Sequence, residues 1–356
     1  MGLERLRVSG FRNLLDGELP AFGPVNGIVG ANASGKTSLL EAIHVLARAR
    51  SFRAARLDTV TRQGQDTFRL VGDVSSGRSL HRLGLERGRR QLRVRVDGQD
   101  VRVLSDLARH LPVQLINTDS QRLLQDGPAL RRQFLNWTTF HVEQGYREVW
   151  KRYERALRQR NAAIRAGDRR IALAWNPELL AAGDHVTRYR AVLVKELETL
   201  LQPFLIDWLP GVMIQLHYRR GWSRDRSFSE ALNQSQESEM DRGFTLVGPH
   251  RADLSIRANG VSAQDWLSRG QQKILVIALM LAVAERMKSN GPGEPIVLVD
   301  DLAAELDSER REQVVDALLG TGAQLFVTAT AREQLPLRGD TRWFHVEHGG
   351  LREMVQ

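Results

Sequence analysis

The stretch VGANASGKTS, Val29 to Ser38, decides the fold. Gly30, four residues, then Gly35-Lys36-Thr37 is the spacing of a P-loop, in which successive backbone N–H groups turn inward around phosphate oxygens. A glycine-rich turn that merely contains a lysine would look similar, so the flanks have to discriminate. Upstream, VNGIV (Val25 to Val29) reads as a short strand. Downstream, apolar residues recur at Leu39, Leu40, Ile43, Leu46 and Ala47, which is helical spacing. Strand, glycine loop and helix in that order are the context the motif requires. Gly30, Ala31, Asn32, Ala33, Ser34, Gly35, Lys36, Thr37 and Ser38 are therefore expected to bind a nucleoside triphosphate. Lys36 would reach the β- and γ-phosphates, and the Thr37 hydroxyl would meet Mg2+.

A P-loop ATPase needs carboxylates at the end of a second buried strand, and PIVLVDDLAAELD (Pro295 to Asp307) supplies them. The aliphatic run Ile296 to Val299 leads into Asp300, expected to hold Mg2+ through water, and Asp301, expected to polarise the water that attacks the γ-phosphate. The bland reading is that two aspartates cap the next helix. Asp300 lies 264 residues beyond Lys36 (300 minus 36), too far for a compact P-loop kinase or GTPase, so a large segment is inserted between the halves. Before the aspartate strand stands LSRGQQK, Leu267 to Lys273, opening an apolar helix. Its serine turn (Ser268, Arg269, Gly270, Gln271) is a second anion site at a helix N-terminus. Two sites of this kind address one γ-phosphate when two copies stand head to tail, each serine turn closing over the other copy's nucleotide.

Of 51 lysines and arginines only five are lysine, leaving 46 arginines, and the net charge is +9. This suits phosphate or nucleic-acid contact, although an arginine bias is also a common product of genome composition. With no cysteine there are no disulfides or thiolate zinc sites, which fits a reducing cytosol. The charged N-terminus is no secretory signal, and the longest apolar run, Ile274 to Ala284, is too short for a membrane span. A soluble, cytoplasmic protein is expected.

Residues 3–9, 68–73, 80–85, 92–96 and 111–116 read as strands, so a β-meander accompanies the P-loop. From about Gly127 to Leu209 the period turns helical. Val149, Trp150, Tyr153, Leu157 and Ile164 mark one amphipathic face, Asn176-Pro177 makes a break, and a second long helix follows to Trp208. Ser223 to Met240 reads as a polar surface segment, and Gly243 to Gly260 as strands with turns. The expected division is an N-terminal head part at 1–126, a helical arm at 127–210 and a C-terminal head part at 211–356.

P-loop, insertion, serine-glycine-glutamine turn, aspartate strand and LAAELD follow the order of an ABC-type ATPase. Over essentially its whole length the chain resembles the RecF family. The resemblance rests on FRNLLDGEL (11–19), GANASGKTSLLEAIHVLARARSFR (30–53), DGPALRRQFLNW (126–137), GPHRADL (248–254), SRGQQK (268–273) and VDDLAAELD (299–307). It implies an α/β fold, an ABC-type ATPase head with an antiparallel β subdomain plus a helical arm. It also implies ATP and Mg2+ as ligands, an ATP-dependent homodimer and slow hydrolysis. Its implied role is DNA binding at single-strand/duplex junctions in gaps, where RecF-like proteins act with RecO and RecR to help RecA load.

Certain residues depart from the family pattern or leave two readings open. Ala33 and Asn136 stand where the family usually has glycine and aspartate. Thr328 and Thr330 occupy the γ-phosphate switch, where transporter ATPases carry histidine. Gln114 or the segment Asn117 to Ser120 would supply the Q-loop. Arg12 and Asn13 either approach the adenine or are structural. His250 and Arg251 lie near the nucleotide or hold a lobe interface. Arg147, Arg152, Arg155, Arg158 and Arg160 either contact DNA or form a solvated face paired with Glu148 and Glu154. His345 and His348 are not expected to hold a metal. The alternatives in class are an SMC-type chromosome ATPase, a transporter ATPase subunit and a nucleotide-gated nuclease. The insertion is too short for the first, the histidine switch is missing for the second, and the third would need a further acidic cluster.

Overall fold

A computed structural model describes residues 2–77, 79–89, 91–101, 105–290, 295–302 and 306–354. The chain forms two compact units, Met1–Ser120 with Ile277–Gln356, and Gln121–Val276. The second takes in more than the arm expected at 127–210, because the strands and loops that follow the long helix pack within it.

The first unit carries two six-stranded sheets. In one, β3 (Val25–Val29) lies between β13 (Gln324–Ala329) and β14 (Thr341–Glu347). Beyond β13 come β12 (Ile296–Val299) and β8 (Val113–Ile116), and β15 (Gly350–Glu353) closes the other edge. All but β15 run parallel. The central strands β12 and β13 are buried along their whole length, as strands covered on both faces require, whereas β14 exposes His345 and Glu347. Because they are parallel, the loops that follow β3, β12 and β13 emerge at one edge, where open α/β sheets bind ligands. The second sheet is the expected meander, in the order β2 (Gly17–Glu18), β1 (Gly2–Ser9), β4 (Phe68–Ser76), β5 (Ser79–Arg87), β6 (Leu92–Val96) and β7 (Gln99–Asp100). Helix α1 (Lys36–Arg48) is buried on nearly every face, from Leu39 to Ala47 without interruption. One apolar cluster joins α1 with Leu3, Phe11 and Phe68 of the meander side and Leu298 and Phe326 of the parallel sheet.

The second unit is built on α4 (Pro128–Val142), α5 (Tyr146–Arg165) and α7 (Asn176–Trp208). Tyr146 meets Arg190, Arg152 meets Glu178 and Arg160 meets Asn176, so α5 and α7 run antiparallel. Tyr153, Ala156, Leu179, Ala182 and Val186 form their shared core. A three-stranded antiparallel sheet, β11 (Val261–Ser262), β10 (Asp253–Ala258) and β9 (Ile214–Arg219), belongs to the same unit. The polar segment from Ser223 is largely exposed and contains helix α8, Phe228–Arg242. Ser227 and Glu230 start it with a reciprocal capping box, and Phe228 and Leu232 enter the core. Two apolar residues at i and i+4 were the helical signal among its many polar ones. The stretch Thr245 to Arg251 is turn and 3-10 structure rather than strand.

Helix α10 (Arg269–Asn290) starts in the second unit and continues into the first. Despite its apolar middle, no helix of the described residues is long and apolar enough to cross a membrane. Of the LAAELD motif, residues 303–305 lie outside the described residues.

Candidate nucleotide site

The loop between β3 and α1 has the conformation a phosphate cradle needs. Gly30 has φ 157° and Gly35 φ 125°, and a side chain at Gly30 would put its Cβ 2.3 Å from the Val346 carbonyl oxygen. Ala33 also sits at positive φ, 64°, so it adopts without glycine's freedom the backbone for which the family uses glycine. Asn13 braces the loop: its Nδ2 donates to the Ala33 carbonyl at 3.2 Å, and its Oδ1 accepts from the Ser38 hydroxyl at 2.7 Å. Gly349, in the turn between β14 and β15, donates its N–H to the Ser34 carbonyl. The Ser34 hydroxyl is buried without a partner, a polar group in the loop wall that a ligand oxygen would satisfy.

Lys36 is nearly buried, and its Nζ donates to the carbonyls of Gly30 and Ala31 at 2.7 and 2.9 Å. Desolvation holds its pKa below the usual lysine value, against the opposing pull of Asp301 and Asp300. Thr37, one residue on, donates its hydroxyl to Asp300 Oδ1 at 3.0 Å, and Thr328 from β13 donates to the same oxygen at 2.9 Å. Burial pushes the Asp300 carboxyl above its ordinary pKa, with the two hydroxyl bonds acting the other way. A hydroxyl and a carboxylate this close are the hard oxygen donors that Mg2+ selects, so these residues fit the ion. Bound there, the ion would neutralise phosphate charge.

Thr328, read as a switch candidate, is instead buried between the aspartates: it also accepts the Asp301 N–H at 2.8 Å. That bond helps hold Asp301 at φ 55°, a turn that takes its backbone out of the strand direction. Thr330 is exposed and pairs with Gln334. Gln114 is buried inside β8 against Met280, whereas Asn117 to Ser120 form a turn at the C-terminal end of that strand, next to the loop that begins at Asp300.

A pocket of about 700 Å3 opens beside the loop, lined by Lys36, Thr37, Arg12, Asn13, Arg53 and Arg62 among others. The sequence reading missed its anchor. Glu41, wholly buried in α1, accepts from Arg12 Nε and Nη2 at 2.9 and 2.8 Å and faces Arg53 at 3.7 Å. A carboxylate among the apolar positions of LLEAIHVL was the available signal. Arg12 thus lines the pocket with its guanidinium pinned to Glu41.

Other expected site residues belong to the second unit. Ser268 and Gln271 form a capping box at the start of α10: Ser268 Oγ accepts the Gln271 N–H at 3.3 Å, and Gln271 Oε1 accepts the Ser268 N–H at 3.0 Å. Ser268, Arg269 and Gly270 are exposed, and the serine O–H remains able to donate. His250 is held inside the unit, Nδ1 bonded to the Tyr153 hydroxyl at 2.6 Å and Nε2 to the Thr245 carbonyl at 3.0 Å. Arg251 stacks over Phe244. The stretches DGPALRRQFLNW and GPHRADL meet here. Arg131 pairs with Asp253 at 2.7 Å, Arg132 reaches the Ala252 carbonyl at 3.0 Å, and Asn136 and the Pro249 carbonyl both accept from Arg190. Of the arm arginines, Arg160 is a correction. It is 2% exposed and bonded to Glu239, Thr245 and Asn176, so it cannot contact DNA. Arg152 pairs with Glu178 on the surface, and Arg155 and Arg158 are exposed. Glu148 pairs with Lys151 rather than with an arginine. Among the described residues no group of histidines and carboxylates forms a metal cluster, and His345 and His348 lie on β14 and in the turn after it.

Comparison with known proteins places this geometry. The family described as RecF/RecN/SMC N terminal domain matches residues 2–342. A DNA replication and repair protein RecF of Pseudomonas fluorescens is 41% identical over 359 residues, covering 99% of this chain and 98% of its own. Its counterpart in Pseudomonas aeruginosa is 41% identical over 357 residues, with 98% and 97% covered. Among solved structures, the recombination mediator protein RecF-ATP of the RecFOR pathway aligns with a TM-score of 0.88 at 23% identity, covering 99% and 97% of the two chains. An Smc head bound to the C-winged helix domain of ScpA aligns at 0.61 and 14% identity, covering 99% and 98%. The shared fold is that of an ABC-type ATPase head.

Proposed function

The chain belongs to the RecF family of DNA replication and repair proteins, and from that premise we propose that it is an ATP-dependent DNA-binding protein of recombinational repair. The observation that carries the reading is the convergence of Lys36, Thr37 and Asp300 at one edge of the parallel sheet, beside a pocket with room for a nucleotide. Lys36 and the loop N–H groups hold the phosphates, Thr37 and Asp300 hold Mg2+, and Asp301 orients the attacking water. The exposed serine turn of Ser268, Arg269, Gly270 and Gln271 closes over the nucleotide of a second copy. ATP then contacts both halves of a homodimer, which supplies the differential affinity that closes it, and slow hydrolysis opens it. DNA is met at single-strand/duplex junctions in gaps, in the cytoplasm, and the protein helps RecA load together with RecO and RecR. Arg147, Arg152, Arg155 and Arg158 remain candidates for phosphate contact, Arg152 only by giving up Glu178.

Anisotropy of labelled gapped DNA, titrated with and without ATP, tests this. Tighter binding with ATP that vanishes in Lys36→Met is the expected result. Binding indifferent to nucleotide, or no binding, would leave an ATPase without a DNA clamp.

A further inference from the structure

The P-loop pocket is not the largest basic cavity. In the second unit a pocket of about 900 Å3 lies between α7 and β9, walled by Thr187 of α7, Arg219 of β9, Arg257 of β10 and Arg220, Trp222 and Arg224 of the loop after β9. None of its lining residues is acidic. Along β9 and β10 the residues alternate, and Ile214, Leu216, Leu254 and Ile256 turn into the core. This leaves Arg219 and Arg257 on the outward face. Neither they nor Arg224 have a hydrogen-bond or ion-pair partner among the described residues. Asp253, opposite Arg219 in register, is occupied by Arg131. The other nearby carboxylates are engaged or peripheral. Asp225 accepts from the Ser223 hydroxyl and lies beside Arg226, and Asp184 is acted on by Arg188, His185 and Arg220.

A second observation is independent of charge. Trp222 Nε1, Arg220 Nε and Thr187 Oγ1, all on residues of this wall, are buried without a hydrogen-bond partner. Arg220 Nη2, in contrast, is satisfied by the carbonyls of Ser223 and Arg226, each at 3.0 Å. Buried donors nearly always find an acceptor, so two N–H groups and a hydroxyl lacking one around a single cavity leave room for a water or ligand oxygen to supply it. Three exposed arginines with no internal partner around the same cavity favour an anionic ligand there.

We infer that this pocket binds the phosphodiester backbone of a single strand of DNA, an inference that rests on the DNA-binding reading above. Its volume admits a nucleotide rather than a bare phosphate. A single strand can bend into a concavity, whereas duplex phosphates are held on a rigid cylinder. Base stacking is not the mode, because Phe228 stacks on the Trp222 ring at 4.6 Å and the Arg220 guanidinium lies over it at 5.1 Å. Recognition is therefore of phosphate, blind to sequence and dependent on salt.

The test uses the full chain and labelled oligothymidylate, with Arg219→Ala/Arg257→Ala and its lysine counterpart Arg219→Lys/Arg257→Lys. The alanine pair is expected to weaken single-strand binding roughly tenfold or more and to lower the salt slope by one to two. The lysine pair should retain most of the affinity. In protein labelled with 5-fluorotryptophan, the 19F resonance that disappears in Trp222→Phe should shift with oligothymidylate but not with inorganic phosphate at equal ionic strength. That shift reports the pocket even if a variant folds poorly. If the wild type binds DNA while the alanine pair and the resonance are unaffected, the pocket assignment alone falls. A shift with inorganic phosphate alone, or an effect confined to duplex, overturns the single-strand assignment. A wild type that binds no DNA overturns both this inference and the reading beneath it.

Discussion

The phosphate loop of the α/β unit and the Arg160 pair of the helical unit both bury charge, and to opposite ends. Around the P-loop, Lys36 is held by neutral carbonyls and the Asp300 carboxylate by hydroxyls, next to an open pocket. In the helical unit Arg160 is closed into a pair with Glu239 at 2.7 Å, and neither side chain reaches solvent. A buried charge with neutral partners keeps its field and favours a ligand of opposite sign. One with a charged partner turns its field to holding the fold. Arg190 stands between the two types. It is wholly buried, yet its partners are the hydroxyls of Tyr146 and Tyr218, Asn136, the Pro249 carbonyl and the Trp150 ring, with no carboxylate among them.

Breaking the closed pair should have the largest effect. Glu239→Gln leaves the Arg160 guanidinium buried without its counter-charge, and Glu239 also serves Ser235 and the Leu246 N–H. Stability should fall by about 3–5 kcal/mol in denaturant titrations. A loss near zero would mean that water reaches Arg160 and that the pair is not closed.

The half-buried His250 gives the next effect, and a pH profile reads it. Burial lowers its pKa from 6.5 to about 4, so the unfolded chain takes up a proton first as pH falls. Stability present above pH 6.5 is therefore lost between 6.5 and about 4, by about 3 kcal/mol. His44 in the α/β unit, lowered to about 3 by burial, adds a loss of the same sign. His250→Gln should reduce the slope in that window to the share left by His44, and an unchanged slope would show that His250 titrates freely.

The intermediate case can be converted. Asn136→Asp places a carboxylate within reach of both Arg190 and the Tyr146 hydroxyl, and should raise stability by about 1–2 kcal/mol. If the variant is destabilised, the Arg190 charge is already balanced by its surroundings. The smallest change expected is in the P-loop itself: Ala33→Gly relieves a left-handed alanine and should stabilise by about 1 kcal/mol, measured as a shift in melting temperature.

Much of the site was legible because its residues are close in sequence. The P-loop is nine consecutive residues between a strand and a helix, and the strands Val25–Val29, Leu92–Val96 and Ile296–Val299 have the bounds expected from their local pattern. Local pattern failed where a residue's environment comes from a distant segment. Arg160 sits among surface arginines in sequence, but Glu239 and Thr245 reach it from 79 and 85 residues away. Glu41 looks like one polar residue in an apolar helix until Arg12 and Arg53 fold onto it. Thr328 was a plausible switch until the sheet order put β13 between β3 and β12 and brought its hydroxyl to Asp300.

The sequence by itself determined the class of machine, because a P-loop, a serine turn and an aspartate strand are local patterns whose chemistry depends on a few adjacent groups. Only the tertiary structure decided which arginines are free to meet phosphate. That depends on the desolvation and pairing of each guanidinium, and these are set by chain segments far apart in sequence. The arm's arginines run along one helix, yet one is sealed and another surface-paired, while Arg219, Arg224 and Arg257, unremarkable in the sequence, gather around a pocket without an acidic partner.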